Sequence, residues 1–478
     1  MKKWRLSAVV LGLVSLLWFQ TAFSQNQESE CPDCPPKRDK ADKTITLEEV
    51  LVTAFHGGAV TITPTKTIVD MRKFEKSGSV DRVEDVLMQM AGIDVMRTST
   101  GADPQQIVMM RGLDDSRFTV ALDGRPLTTP TAGADTYVDW SSLTTGDVER
   151  IEIIRSGASA RYENSQGGVI NIITKKGKRG DSLQPKITLE STYSSFDTYV
   201  ERATCGGGIG NLGYFLNAGY KTSDGYLRNN SWEGEDYSGR IDYSLPTNGT
   251  LALSYKKSHL ELEYPVVNDP KLASYDSSYP TVRQDADTIR KFRLISYPGG
   301  KSYKEKKADH LDFSFDQPLG DTKMSLRLFR DTGEEDSYSY QRSGTRLVQT
   351  FSGDDARKEK TVGGMLDYQM DLWDNNSLTV GYSQRRMEVE SKPDIWRIQA
   401  GYFEDLLAIT SKLSLNLGLR YLNIRNYTYE YKDYGGSVSY RHLLHEDLWL
   451  PKATLSYRFN PETEAYVSAN KDYHIPGC

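Results

Sequence analysis

Leu413-Ser414-Leu415-Asn416-Leu417-Gly418-Leu419-Arg420-Tyr421 alternates apolar and polar side chains without a break. A β-strand sends successive side chains to opposite faces, so this stretch makes one apolar and one polar face. The same rhythm recurs at Leu251, Leu253 and Tyr255 and at Leu311, Phe313 and Phe315. It begins near Lys186 and persists to the end of the chain. The connections separate a soluble sandwich from a membrane barrel. Short turns at 246–249, 318–321, 374–376, 410–412 and 460–463 alternate with long polar stretches at 222–235, 258–307, 331–359 and 422–450. A sandwich has no reason to gather its long loops at one end, whereas an outer-membrane barrel does so. Residues 186–478 are therefore expected to form an antiparallel transmembrane β-barrel of about 14 strands. An apolar content of 38% agrees, because only every second strand residue meets lipid.

Upstream the pattern changes twice. Residues 55–178 mix periodicities: Val83, Val86, Leu87 and Met90 have helical spacing, with Ser79 as N-cap and Gly92 as stop. Short apolar runs at 107–110, 118–122, 151–154 and 169–173 sit between glycine-rich turns. One compact α+β domain is expected there, so the fold class is mainly β. Residues 25–46 are charged and rich in Pro and Gln, which suits a flexible leader. Residues 1–24 read as a cleaved signal peptide, with Lys2, Lys3 and Arg5 before an apolar run and Ala22-Phe23-Ser24 at the cut. That run is shorter than the about 20 residues a membrane helix needs.

Composition narrows the function. With 59 Lys+Arg against 65 Asp+Glu the chain has no basic excess for nucleic acid. Cys31-Pro32-Asp33-Cys34 has Pro35 where a c-type haem site needs His. A small disulfide loop in an oxidising compartment and a metal or redox pair both remain open. Cys205 and Cys478 form no framework with them. There is no Gly-x-Ser-x-Gly, no P-loop and no His-Glu-x-x-His, and the six histidines are scattered. The expectation is a protein without enzymatic activity, without a covalent cofactor and without a metal site of its own.

Four motifs then follow one another. They are Met110-Arg111-Gly112-Leu113, Ala121-Leu122-Asp123-Gly124-Arg125-Pro126, Glu149-Arg150-Ile151-Glu152-Ile153-Ile154-Arg155 and Gly167-Gly168-Val169-Ile170-Asn171-Ile172-Ile173-Thr174. In order and spacing they resemble the plug of TonB-dependent outer-membrane receptors of the siderophore and cobalamin type. Before them, Leu47-Glu48-Glu49-Val50-Leu51-Val52-Thr53-Ala54 resembles the TonB box, with Glu49, Val50, Leu51, Val52 and Thr53 at its centre. An exposed β-prone stretch of this kind can pair its backbone with another protein's sheet edge. Two departures stand out. After Arg155 the family has Gly-Pro and later Tyr-Gly, where this chain has Ser156-Gly157 and Tyr162-Glu163.

The resemblance implies a receptor in the outer membrane of a Gram-negative bacterium. It would bind a scarce chelate outside the cell, a ferric siderophore first and cobalamin or haem next. Its partners would be outer-membrane lipid and TonB, whose proton-driven inner-membrane complex pulls on the box. Plug apices and outer loops would supply the ligand contacts: Arg97, Thr98, Ser99, Tyr137 and Trp140, then Tyr264, Tyr275, Tyr279, Arg283, Arg290, Arg293 and Tyr297. Arginine pairs with anionic chelates, and tyrosine offers a flat apolar face with a polar tip. Plugged transporters have about 22 strands. About 14 strands and an ending His474-Ile475-Pro476-Gly477-Cys478 lead to the expectation of an incomplete barrel, from a truncated product or a partial sequence. The alternatives are a sensor barrel that binds without transporting, a non-functional truncated receptor, and a secreted β-hydrolase.

Overall fold

The computed structural model describes residues 52–473, except 56–58, 63–65, 75–80, 97–106, 128, 132–133, 156–158, 178–179, 181–183, 264, 267, 283–301, 344–345, 350–356, 374, 390–393, 432–437 and 461–462. The sequence readings at 1–24, at Cys31, Cys34 and Cys478, at Glu49, Val50 and Leu51, and at Ser79 lie outside the described residues.

The N-terminal part is built from β1 (Val52–Phe55), β2 (Val60–Ile62), β3 (Lys66–Asp70), α1 (Met71–Phe74), α2 (Val83–Leu87), β4 (Ile93–Met96), β5 (Ile107–Met110), β6 (Leu113–Asp114), β7 (Thr119–Leu122), β8 (Arg125–Pro126), β9 (Thr129–Thr131), β10 (Ala134–Tyr137), β11 (Val148–Arg155) and β12 (Gly168–Thr174). Seven strands form one sheet in the order β1-β2-β3-β11-β12-β7-β8; β4, β5 and β6 form a second, and β9 pairs with β10. The β-branched runs of β11 and β12 put them at the centre, where both faces of a strand can be apolar. Val69, Met71, Phe74, Val86, Leu87, Val120, Ile151, Ile170 and Ile172 are buried together as its core. Between β7 and β8 the chain reverses at Asp123 (φ 49°) and Gly124 (φ 85°), a left-handed pair that Asp-Gly adopts with little strain.

The rest is one large antiparallel sheet. Its strands are β13 (Lys186–Ser194), β14 (Thr198–Ile209), β15 (Leu212–Ser223), β16 (Trp232–Ser244), β17 (Thr250–Glu263), β18 (Ser302–Leu319), β19 (Thr322–Ser343), β20 (Arg346–Gln349), β21 (Arg357–Trp373), β22 (Asn376–Val389), β23 (Asp394–Ala408), β24 (Leu413–Tyr431), β25 (Val438–Asn460) and β26 (Thr463–Asn470). Thirteen follow one another in chain order from β13 to β26, and β20 pairs only with the tip of β19. Leu253, Leu311, Leu366, Leu417 and Leu455 face outward and are exposed, while Lys256, His310, Arg385, Arg420 and Lys452 face inward and are buried. In a water-soluble sheet the two classes would be exchanged. This polarity suits a wall with lipid outside and a polar lumen inside.

The structure corrects three expectations. The helix at Val83 is capped by Arg82, which makes no side-chain cap bond, and it stops at Leu87 before turning through Gly92 (φ 80°). A second short helix, α1, has too few residues for a period to show. The stretches 331–359 and 422–450 are largely strand: β19 runs to Ser343, β24 to Tyr431 and β25 starts at Val438. About 9–11 residues suffice to cross a bilayer, and β25 has 23. Beyond the lipid band the alternation inverts: Asn423 and Asp447 face outward, while Leu422, Ile424 and Leu450 face inward and are buried together.

Candidate functional site at the seam between plug and wall

The N-terminal domain meets the inner wall of the large sheet through charged side chains, most of them on the loops between its elements. Arg125, at the start of β8, is fully buried. Its Nε and Nη2 donate to Asp312 on β18, the second at 2.9 Å, and its Nη1 and Nη2 donate to Asp331 on β19 at 2.6 and 2.7 Å. The Phe329 ring lies 4.6 Å below the guanidinium. His310 Nδ1 sits 2.7 Å from Asp331. Burial works against the charge on Arg125, but Asp312 and Asp331 outweigh it and hold the guanidinium more firmly protonated than usual. Two carboxylates on one rigid fork give a directional anchor rather than a loose ion pair.

A second anchor has the opposite sign. Glu163, only 4% exposed, forms an ion pair with Arg385 Nη2 at 2.8 Å and accepts from Arg420 Nη2. Burial pushes its carboxyl up, yet Arg420 and Arg385 prevail and hold it below the ordinary carboxylate range. The loop around it is gripped from several strands. Lys452 Nζ donates to Ser159 O (2.9 Å) and Ser165 Oγ (2.8 Å), and Glu404 accepts from Ser159 Oγ at 2.8 Å. Arg161 pairs with Asp367 at 2.9 Å, and Asp472, beyond β26, accepts from Ser165 Oγ at 2.7 Å.

Four further carboxylates complete the seam. Asp81 takes Arg202 (2.8 Å) and Lys221 (2.7 Å), Asp139 takes Lys306 (2.7 Å), Asp147 takes Lys256 (2.9 Å), and Asp123 takes Arg240 (3.1 Å). Burial raises the carboxyls of Asp81 and Asp139, but their lysine and arginine neighbours dominate and both titrate below the ordinary range. The N-terminal domain is thus a stopper fastened by many discrete, polar contacts. Such contacts can be exchanged for water one at a time, which an apolar interface of the same size does not allow.

The motif residues serve this stopper. Asp123 also accepts from Thr174 N (2.9 Å) and Thr174 Oγ1 (2.7 Å), tying the β7–β8 turn to the end of β12. Asn171 accepts from Gly124 N at 2.9 Å and donates to Glu152 at 3.3 Å. Arg111 (φ 55°) and Gly112 (φ 77°) make the β5–β6 turn, where Arg111 is exposed and its N–H donates to Gly92 O at 2.8 Å. Gly167 N–H donates to Arg117 O at 3.0 Å. Gly168 (φ 130°) has no room for a side chain, since a Cβ would stand 2.5 Å from Ile154 O. Arg155 ends β11 opposite Gly168.

Val52 and Thr53 begin β1, the edge of the seven-stranded sheet: β1 pairs with β2 on one side and has no neighbour on the other among the described residues. Of the residues expected to touch a ligand, Trp140 is 4% exposed, packed in the core, with its indole N–H donating to Asp115 at 3.0 Å. Its surface is spent on packing. Tyr137 lies in β10. Tyr275 and Tyr279 are exposed in the loop 268–282, which Asn268 organises by bonding the backbone of Asp276, Tyr279 and Pro280. Arg97, Thr98, Ser99, Tyr264, Arg283, Arg290, Arg293 and Tyr297 lie outside the described residues.

Sequence reasoning missed Glu163 and the wall residues Asp312, Asp331, Arg385, Arg420 and Lys452. Glu163 carried a signal all the same, because it stands where the family pattern has Gly. The wall residues sit at inward, polar positions of alternating strands, and nothing in one strand says which of these meets the plug.

An α+β stopper seated by ion pairs against a β-wall that is apolar outside and polar inside defines a plugged membrane-barrel receptor. The profile described as "TonB-dependent Receptor Plug Domain" matches residues 60–169, and that described as "TonB dependent receptor-like, beta-barrel" matches residues 189–477. The chain belongs to the TonB-dependent receptor family. It is 25% identical over 214 residues to the ferric enterobactin receptor PirA of Pseudomonas aeruginosa, covering 42% of this chain and 28% of that protein. To the ferrienterobactin receptor of Escherichia coli it is 29% identical over 124 residues, 24% of this chain and 17% of that one. Among solved structures, the siderophore receptor PiuA from Acinetobacter baumannii superposes with a TM-score of 0.63 at 14% identity, over 88% of this chain and 67% of that chain. The ferripyoverdine receptor of Pseudomonas aeruginosa gives 0.63 at 15% identity, over 88% and 59%. The matched region spans less than a third of the length of these curated relatives.

Proposed function

We propose that the chain acts as an outer-membrane receptor that imports a ferric siderophore in a TonB-dependent way. The observation that carries this reading is the seating of the plug: a separate stopper, held to the wall by ion pairs, whose N-terminal strand has one open edge among the described residues. A strand edge invites pairing by another chain, and TonB would grip residues 47–54 there. Pulling on that strand, driven by the inner-membrane proton gradient, would break the seam and open a path. No bond in the cargo is made or broken. The iron chelate as cargo is supported by the relatives, which are named for enterobactin and pyoverdine receptors. Within this reading residues 1–24 are a cleaved export signal, 25–46 a periplasmic leader, 55–178 the plug and 186–478 barrel wall.

The test is binding of the purified protein to a ferric catecholate, a ferric hydroxamate, cobalamin and haem, read by calorimetry. Binding of an iron chelate alone supports the reading. Binding of cobalamin or haem without any iron chelate overturns it.

A further inference from the structure

One buried acid in the plug has no counterpart in the seam. Glu84, on α2, is fully buried, yet neither carboxyl oxygen receives a hydrogen bond from another residue. Arg82 Nε lies 3.3 Å from one of them, but its guanidinium also leans towards Asp85, at 3.9 Å. Among the described residues, the charged groups around α2 are Asp81, Arg82 and Asp85 on its own segment, Arg202 on β14, Lys221 on β15, Glu190 on β13, 3.6 Å from Arg202, and Asp236 on β16, which bonds Thr144 opposite Arg82. Asp81 uses both Arg202 and Lys221. Of these acids, Glu84 is fully buried and lacks a donor at either oxygen among the described residues. An ionised carboxylate buried without donors is far costlier than the neutral acid. Burial accordingly pushes the Glu84 carboxyl above its ordinary range, and the nearby Arg82 does not offset it.

We propose that Glu84 is a proton latch on the plug: its carboxyl is protonated while α2 is seated and gives up that proton to water when α2 leaves its site. The α2 segment is wired to both sides of the seam. Val83 N–H donates to Leu143 O at 3.1 Å, Thr145 N–H donates to Asp81 O at 2.9 Å, and Asp81 holds the wall. Unseating therefore hydrates Glu84, with the carboxylic O–H breaking to give a carboxylate and a hydronium ion. By linkage, a proton taken up on seating favours the closed plug at low pH and the loosened plug as pH rises. The effect belongs to the plug whatever the cargo is.

The test compares the full chain with Glu84→Gln, following plug opening by hydrogen exchange in residues 83–90 after correction for intrinsic rates. From about pH 5 to about pH 8 the wild type should open more with each unit, by at most about tenfold per unit, while Glu84→Gln shows a smaller rise. Infrared spectra of the folded wild type at neutral pH should also show a protonated-carboxyl band that shifts on isotope labelling of glutamate. That measurement needs no variant to fold. Equal pH dependence in the two proteins, or no such band, overturns the proposal.

Discussion

Replacing Arg125 by Met keeps an unbranched side chain of similar length and removes the charge, so it isolates what the guanidinium does. Four donor contacts disappear, and Asp312 and Asp331 are left facing each other with one imidazole beside them. Removing one member of a buried ion pair typically costs about 3–5 kcal/mol, most of it from the partner charge left without compensation. Because each 1.4 kcal/mol is tenfold in an equilibrium constant, the opened β7–β8 turn should become more than about a hundredfold more populated. The amides of Asp123 and Leu127 report this, since they donate at 2.8 Å to Ile172 O on β12 and to Val120 O across that turn. Their exchange should speed up accordingly, while that of β16–β17 amides stays unchanged. The triple variant Arg125→Met, Asp312→Asn, Asp331→Asn should recover most of the loss, because no buried charge is then stranded. A change below about threefold in Arg125→Met, or no recovery in the triple variant, would refute the anchor.

Three other outcomes follow from the same seam. Glu163→Gly, which restores the residue of the family pattern, leaves Arg385 and Arg420 without their shared carboxylate and should destabilise the plug by about 3–5 kcal/mol in urea unfolding; adding Arg385→Leu should restore part of it. Burial pushes the Asp115 carboxyl up to about 6, so the folded plug prefers its protonated form. That contribution is complete below the unfolded value of 3.8 and is lost as pH rises through about 6. Asp115→Asn should therefore gain on the wild type between those limits, by about 3 kcal/mol at most, as read by unfolding at several pH values. Gly168→Ala places a Cβ 2.5 Å from Ile154 O at φ 130° and should cost more than about 1 kcal/mol in thermal unfolding, against a near-neutral Gly210→Asn on the wall.

Much of the fold is legible in single strands. Leu413 to Tyr421 shows its two faces because lipid outside and polar lumen inside both demand a two-residue period. The phase of the same rule reverses at 422–425, where Leu422 and Ile424 are buried on the inner face and Asn423 and Arg425 face out, because solvent replaces lipid outside. Of the site, the turns were legible: Asp123, Gly124 and Gly168 adopt backbone torsions that few residues take. The pairing of Arg125 with Asp312 and Asp331 was not, because residues some 190 and 210 apart in sequence meet only when the stopper is seated. Trp140 is a residue whose packing the sequence does not show. An aromatic near a plug apex resembles a ligand contact, but its indole is occupied by Asp115 and its ring by the core.

In the proposed function, force on the N-terminal strand unseats the plug and lets an iron chelate through. Its most direct test is uptake of radiolabelled ferric siderophore by the protein's own cells, comparing wild type with Val52→Pro, which removes a backbone N–H from β1 and fixes its φ. Uptake that needs the proton gradient and is lost in Val52→Pro, while binding at the cell surface is retained, is the predicted result. Uptake that is equal in the two strains, or that persists when the gradient is collapsed, would contradict it.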